Sequence, residues 1–402
     1  MPKHFLAAAQ LSNSVGDGAY LVCSVLYFTL IVGLSPAQIG VGLTLGWGVG
    51  ALAGVPLGHL ADRRGPRGVA VLLALATATA VGSFLVVRSF VPFLVAAILY
   101  GSAQSGLAAA RQALIAALVA PEQRTRLRAF LQATANAGLA IGASLGGLAL
   151  YLGTRQAFLM VFVLDAACFL TAAAVLTRLP AVAPSAAVKG ERRLAVLRDR
   201  PYALVTALNT VMLLYMPLLS LVIPLWIVQR TNAPQWMVSA LLVLNTLMVV
   251  LFQVRVARRV HDLTTAARQV GRSGVLMLGA CIVFALSAYG GSAWTAALIL
   301  LAGGLVQVIA EMMLGSGAWE ISFDLAPPHK QGQYQGFFGT GTAVARMLGP
   351  VLLTTLVIGW GTAGWVVLGI LFVAAGVAMT PAVRWAERTR AAASVVAATA
   401  SS

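Results

Sequence analysis

The stretch Gly58-His59-Leu60-Ala61-Asp62-Arg63-Arg64-Gly65-Pro66-Arg67 sets a knot of charge between two apolar runs, Leu43 to Leu57 and Gly68 to Val87, neither of which holds a charged residue. Runs of that length and polarity read as membrane-spanning helices, so the charged stretch between them must lie outside the lipid. The sequence therefore predicts a hairpin over 58–67 joining two spans. Gly58 and Gly65 allow close helix approach and a sharp reversal. Asp62 beside Arg63 and Arg67 offers an acceptor and forked donors for a local ion-pair network.

Composition extends this reading to the whole chain. Of 402 residues, 60% are hydrophobic and only 9% charged, against about 25% charged in soluble globular domains. A soluble protein is excluded. The formal charge of +16 does not point to nucleic acid, because the basic residues are scattered over short connections and are not gathered on one module. Cys23, Cys168 and Cys281 stand singly inside apolar runs, which suggests neither a disulfide framework nor a metal site. No cofactor is expected.

A span needs about 20 apolar residues to cross about 30 Å of hydrocarbon. That ruler divides the chain into twelve predicted spans, at residues 6–32, 37–60, 68–87, 91–119, 130–152, 156–177, 202–228, 235–257, 267–289, 293–323, 334–358 and 363–383. The fold class is all-α integral membrane, with two pseudo-symmetric six-helix bundles at 1–178 and 201–385. A polar linker over 179–200 separates them, carrying Lys189, Glu191, Arg192 and Arg193 among other charges. The tail over 386–402 is Ala- and Ser-rich and is expected to be disordered. The first span is read as retained, not as a cleaved leader. Assigned to connections, nearly all of the 27 basic residues fall on the side of the N-terminus, leaving Arg88, Arg155 and Arg230 opposite and Arg346 in mid-span. The bias predicts cytoplasmic termini in a cell inner membrane.

The order G-x-L-A-D-R-x-G-x-R within 58–67 resembles the loop 2–3 signature of the major facilitator superfamily of secondary transporters, although Pro66 stands where that signature usually has a basic residue. Gly138-Leu139-Ala140-Ile141-Gly142-Ala143-Ser144-Leu145-Gly146-Gly147 is similar to the fifth-span signature of the family's drug/proton antiporters, with Ala143 in place of proline. The resemblance implies alternating access of the two bundles and a cytoplasmic gate at Gly58, Asp62, Arg63, Gly65 and Arg67. It also implies that the stripe of Gly138, Gly142, Gly146 and Gly147 meets the eighth span of the other bundle, an arrangement associated with export. Spans 1, 4, 7 and 10 would surround a central cavity, making Tyr20, Gln104, Asn209, Tyr215, Gln307 and Trp319 candidate lining groups.

Ionisable residues at mid-membrane cost at least about 2.5 kcal/mol each, so they are functional candidates by default. Asp17 in the first span and Arg111 in the fourth lie at similar depth and could pair; Glu311 in the tenth and Arg346 in the eleventh form a second level pair. Each is either a structural ion pair or an acid whose proton occupancy changes as the protein switches. Asp165, in the sixth span, has no evident partner and is expected to make a helix–helix hydrogen bond. The seventh span, with Pro217 and Pro224, is expected to bend. The function these features support is proton-coupled export of a small amphipathic or hydrophobic compound by a monomer embedded in lipid. The alternatives are a proton-coupled importer of sugar or carboxylate and, from another class, a membrane enzyme acting on lipid or prenyl substrates. Eleven acids and four histidines, all dispersed, give that enzyme little to work with.

Overall fold

The computed structural model describes residues 2–185 and 194–401, with side chains described to residue 392. Lys189, Glu191, Arg192 and Arg193 of the expected linker lie outside the described residues. All regular secondary structure among the described residues is helical, and twelve helices are long and apolar enough to cross a membrane.

The first unit contains α1 (Pro2–Leu26), α2 (Pro36–Arg64), α3 (Pro66–Ser83), α4 (Phe90–Leu118), α5 (Pro121–Leu152) and α6 (Arg155–Thr177). Its contacts also take in residues 326–343, the start of a later helix. Helix starts follow local chemistry. Ser35 accepts from Gln38 N at 3.2 Å while Gln38 Oε1 accepts from Ser35 N at 2.9 Å, a reciprocal cap ahead of Pro36, which satisfies two of the orphan donors at the helix start. Thr154 caps α6 with a single bond, its hydroxyl oxygen accepting from Ala157 N.

The hairpin expected over 58–67 is shorter than the sequence suggests. Residues 58–64 belong to α2, and Gly65 alone separates it from α3, with φ at 91°. Glycine adopts that left-handed backbone without steric cost, and Pro66 at the first helical position starts α3 at once. Within the unit α2 packs on α4, and α1 packs on α5 and α6. A cluster of rings from four helices, Tyr20, Tyr27, Phe28, Phe84, Phe93, Tyr100 and Phe162, fills the half towards the end of α1, with neighbouring centroids as close as 4.6 Å. Edge-to-face and tilted rings of this kind add packing energy beyond their buried area.

The second unit contains α7 (Arg200–Met212), α8 (Ile223–Arg230), α9 (Met237–Ala257), α10 (Leu263–Leu286), α11 (Ala293–Asp324), the part of α12 (Gln331–Leu353) from Val344 onward, and α13 (Thr362–Ser401). The seventh span breaks as its prolines require: α7 tightens to a 3-10 turn at Leu213–Tyr215, widens to a π turn at Leu218–Val222 and resumes as α8. Trp226 fills the core beside Trp365 and Phe284, donating Nε1 to Phe284 O at 3.1 Å and to Ser287 Oγ at 3.0 Å. α13 runs on as helix to Ser401, in place of the expected disordered tail from 386. Its alanine content favours helix where the sequence has no breaker.

Candidate functional site

The polar groups of the first unit gather on one strip of α1. Positions 10, 13, 17 and 20 recur at helical spacing and share a face. Gln104 of α4 donates to Asp17 Oδ1 at 3.0 Å and Tyr100 to the same oxygen at 3.3 Å, while Gln104 also donates to the Tyr100 hydroxyl at 3.1 Å. One α-helical step from Tyr100 to Gln104 is four residues, which is what lets two neutral donors converge on one carboxylate. Gln104, expected in a cavity wall, is thus a ligand of Asp17.

The expected Asp17–Arg111 ion pair is corrected. Arg111 Nη2 donates to Gln10 Oε1, two turns before Asp17 on the same face, and acts on Asp17 through its field. Equal depth set the expectation; the amide one level lower reaches the guanidinium first. The Glu311–Arg346 pair is corrected too. Glu311 accepts from Asn245 Nδ2 at 2.8 Å and hydrogen-bonds the Tyr215 side chain, whereas Arg346 is exposed. Tyr215, a half-buried group of the broken seventh span, feels both charges. Among the described contacts, Asp17 accepts from Tyr100 and Gln104 and Glu311 from Asn245.

Of the remaining expected cavity groups, Tyr20 belongs to the ring cluster and is buried, and Asn209 and Gln307 are 2% and 1% exposed. Trp319 lies half-buried over Gly315 of its own helix. A surface cleft of about 590 Å³ opens between the ends of α8 and α13 around Arg230 and Trp360, and holds none of the expected residues. Asp165 does not make the expected helix–helix hydrogen bond. It is fully buried, both of its oxygens lack a partner, and Oδ1 occupies the space a Cβ on Gly16 would need. Its closeness to Asp17 was legible only as a glycine preceding Asp17. Among the described residues no three His, Cys, Asp or Glu side chains group as metal ligands.

The signature stretch at 58–67 also rearranges. Asp62 does not bond Arg63 or Arg67; its oxygens accept from Gly332 N at 2.7 Å and Gln333 N at 3.0 Å, at the first turn of α12. A carboxylate at a helix N-terminus satisfies orphan donors and complements the dipole. Gly58 and Gly54 of α2 lie against Gly332 and Gly336 of α12, so closely that a Cβ on any of the four would meet backbone. The arginines turn the other way: Arg67 donates to Leu179 O at 2.8 Å and Arg63 to Ser185 O at 3.3 Å, and Ser185 N donates to Asp62 O at 2.8 Å. The stretch thereby ties down the segment after α6.

The glycine stripe of α5 faces α1 of its own unit. Gly138 meets Leu11 and Ser14, Gly142 meets Val15 and Ala19, and Gly146 meets Ala19 and Val22, with Gly18 returning the contact at Leu139. Gly147 is off this face and has nothing near it. Gly138, Gly142 and Gly146 thus let α5 pack closely on α1 within the first unit.

The sequence profile of the Major Facilitator Superfamily matches residues 6–350. The chain belongs to the major facilitator superfamily. Solved structures of superfamily transporters share the fold at low identity. A bacterial homologue of the iron transporter ferroportin, in an outward-facing state, is 14% identical with a TM-score of 0.78, covering 96% of this chain and 100% of that one. The human organic anion transporter MFSD10 is 18% identical with a TM-score of 0.70, at 94% and 98% coverage. The fucose:proton symporter of E. coli is 12% identical with a TM-score of 0.73, at 96% and 98%. No curated relative matches the sequence. As a superfamily member the chain is a multi-pass membrane transporter working by secondary active transport, and not an enzyme.

Proposed function

We propose that the chain is a proton-coupled exporter of a small amphipathic or hydrophobic compound, acting as a monomer in the cell's inner membrane with both termini in the cytoplasm. The observation that carries the proton coupling is Asp17. It is an acid in the middle of a spanning helix whose described donors, Tyr100 and Gln104, are neutral. An ionisable group at that depth is costly to hold charged and is a functional candidate by default. Support for a hydrophobic cargo is weaker and comes from the scarcity of charge in the spans. The basic bias of the connections supports the topology.

Uptake of a polar solute is the second reading. Buried amides at Asn209 and Gln307 with unpartnered carbonyl oxygens favour it, and the fucose:proton symporter has the same fold. The two readings separate in proteoliposomes under an imposed pH gradient, with lipophilic cations and sugars as cargo. Under the leading reading, lipophilic cations move against the proton gradient. Asp17→Asn loses gradient-driven accumulation and keeps exchange without a gradient, while Glu311→Gln keeps both. Full pH-driven accumulation by Asp17→Asn places the coupling acid elsewhere.

A further inference from the structure

Two carboxyls lie inside the first unit, Asp165 fully buried and Asp17 half-buried, and their surroundings differ in a further respect. Asp17 is the one with donors: Tyr100 and Gln104 both point at its Oδ1. Asp165 receives none, although it is wholly enclosed. The two are neighbours, since Asp165 Oδ1 packs on Gly16, the residue before Asp17, and their charges act on one another. Two ionised carboxylates near one another repel, and a buried carboxylate with no donor is far costlier than the neutral acid. Where environments differ in this way, the acid and base roles are assigned by the donors.

We propose that Asp17 and Asp165 form a single proton-binding site, in which the proton rests on Asp165 and Asp17 is its ionised partner. Asp165 is thus a proton carrier, not a helix–helix tether. On release, the O–H bond of Asp165 breaks, the proton leaves to water and the electron pair stays on the carboxylate; on uptake the same bond re-forms. The inference rests on the proton-coupled reading above and adds a second, previously unassigned carboxyl to it.

The titratable groups of the packed elements fall as follows among the described residues. From α1 and α4 come the phenols of Tyr20 and Tyr100, and from α6 itself the thiol of Cys168. α3, packed on α6, carries only Arg67, in its first turn and committed to Leu179 O. The charged residues of α5 fall at 122–128, at its start, and Tyr151 is at its far end. Tyr27, in the turn after α1, donates to Phe84 O. Arg111 faces Asp17 and not Asp165. The ring cluster flanks the site on the side of the α1 C-terminus, where Tyr20 packs on Tyr100 and Phe162.

Infrared difference spectroscopy of the reconstituted protein at neutral pH tests the assignment. A protonated-carboxyl carbonyl band is expected in the wild type, absent in Asp165→Asn and retained in Asp17→Asn. In transport, Asp165→Asn is expected to lose pH-driven accumulation by at least tenfold and to keep gradient-free exchange. Gln104→Leu is a check that leaves both acids in place: removing a donor from Asp17 should perturb the Asp165 band. A band lost in Asp17→Asn but kept in Asp165→Asn overturns the proposal, as does full pH-driven accumulation by Asp165→Asn. Should the wild type show no proton-driven transport at all, the coupling reading fails, and a band that vanishes only in Asp165→Asn would still support the shared site.

Discussion

Asp62 presents one carboxylate oxygen to the amide of Gly332 at 2.7 Å and leaves the other for the next amide of the same helix turn. An asparagine in its place would keep one acceptor and turn an amide NH2 group towards an N–H. Losing a hydrogen bond to a charged group costs about 1.5–3 kcal/mol, or roughly a factor of ten in a rate that depends on it. Asp62→Asn is therefore expected to slow the initial rate of transport in proteoliposomes about tenfold while the protein still inserts and elutes as one species. A wild-type rate would remove this contact from the transport cycle.

The close packing of α5 on α1 predicts a sharp difference between two nearby glycines. A methyl at Gly142 would strike Val15 O, whereas one at Gly147 would meet nothing. Gly142→Ala should destabilise by about 1–3 kcal/mol, the usual cost of overpacking, and Gly147→Ala should stay within about 0.5 kcal/mol. Thermal unfolding of the two variants in detergent compares them directly; equal midpoints would contradict the contact.

Asp262 caps α10, its Oδ1 accepting from Thr265 N at 2.7 Å with the Thr265 hydroxyl returning the bond to the backbone of Asp262. The Thr265 N–H holds its carboxyl below the usual carboxylate range. A carboxyl depressed on folding contributes stability above its unfolded pKa and loses it as pH falls through the lower folded value. Asp262→Ala should thus lower the unfolding midpoint at neutral pH, by about 1 kcal/mol as for other N-caps. The gap from wild type should close as the pH drops below the ordinary carboxylate range. A gap unchanged in acid would mean that the charge is irrelevant.

Length and polarity made the spans legible, because a helix crossing lipid must be long, apolar and internally hydrogen-bonded. Pro217 and Pro224 marked the broken span for the same covalent reason that they break it. Arg111 does reach α1, at Gln10, seven residues before Asp17. What the sequence could not reveal was rotation about the axis. That angle decides whether Arg111 meets Asp17 or Gln10, whether Glu311 meets Arg346 or Asn245, and which neighbour the stripe of Gly138, Gly142 and Gly146 touches. Asp165 was misread on the same account, since only packing reveals that its partner across the interface is the bare backbone of Gly16.

The seven rings that fill one end of the first unit have an electrical consequence. Phe28, Phe84, Phe93 and Phe162 are fully buried, and these four rings carry no exchangeable hydrogen along which charge could hop. They form a low-dielectric layer beside Tyr20 and Tyr100, so a charge on that side of Asp17 is poorly solvated.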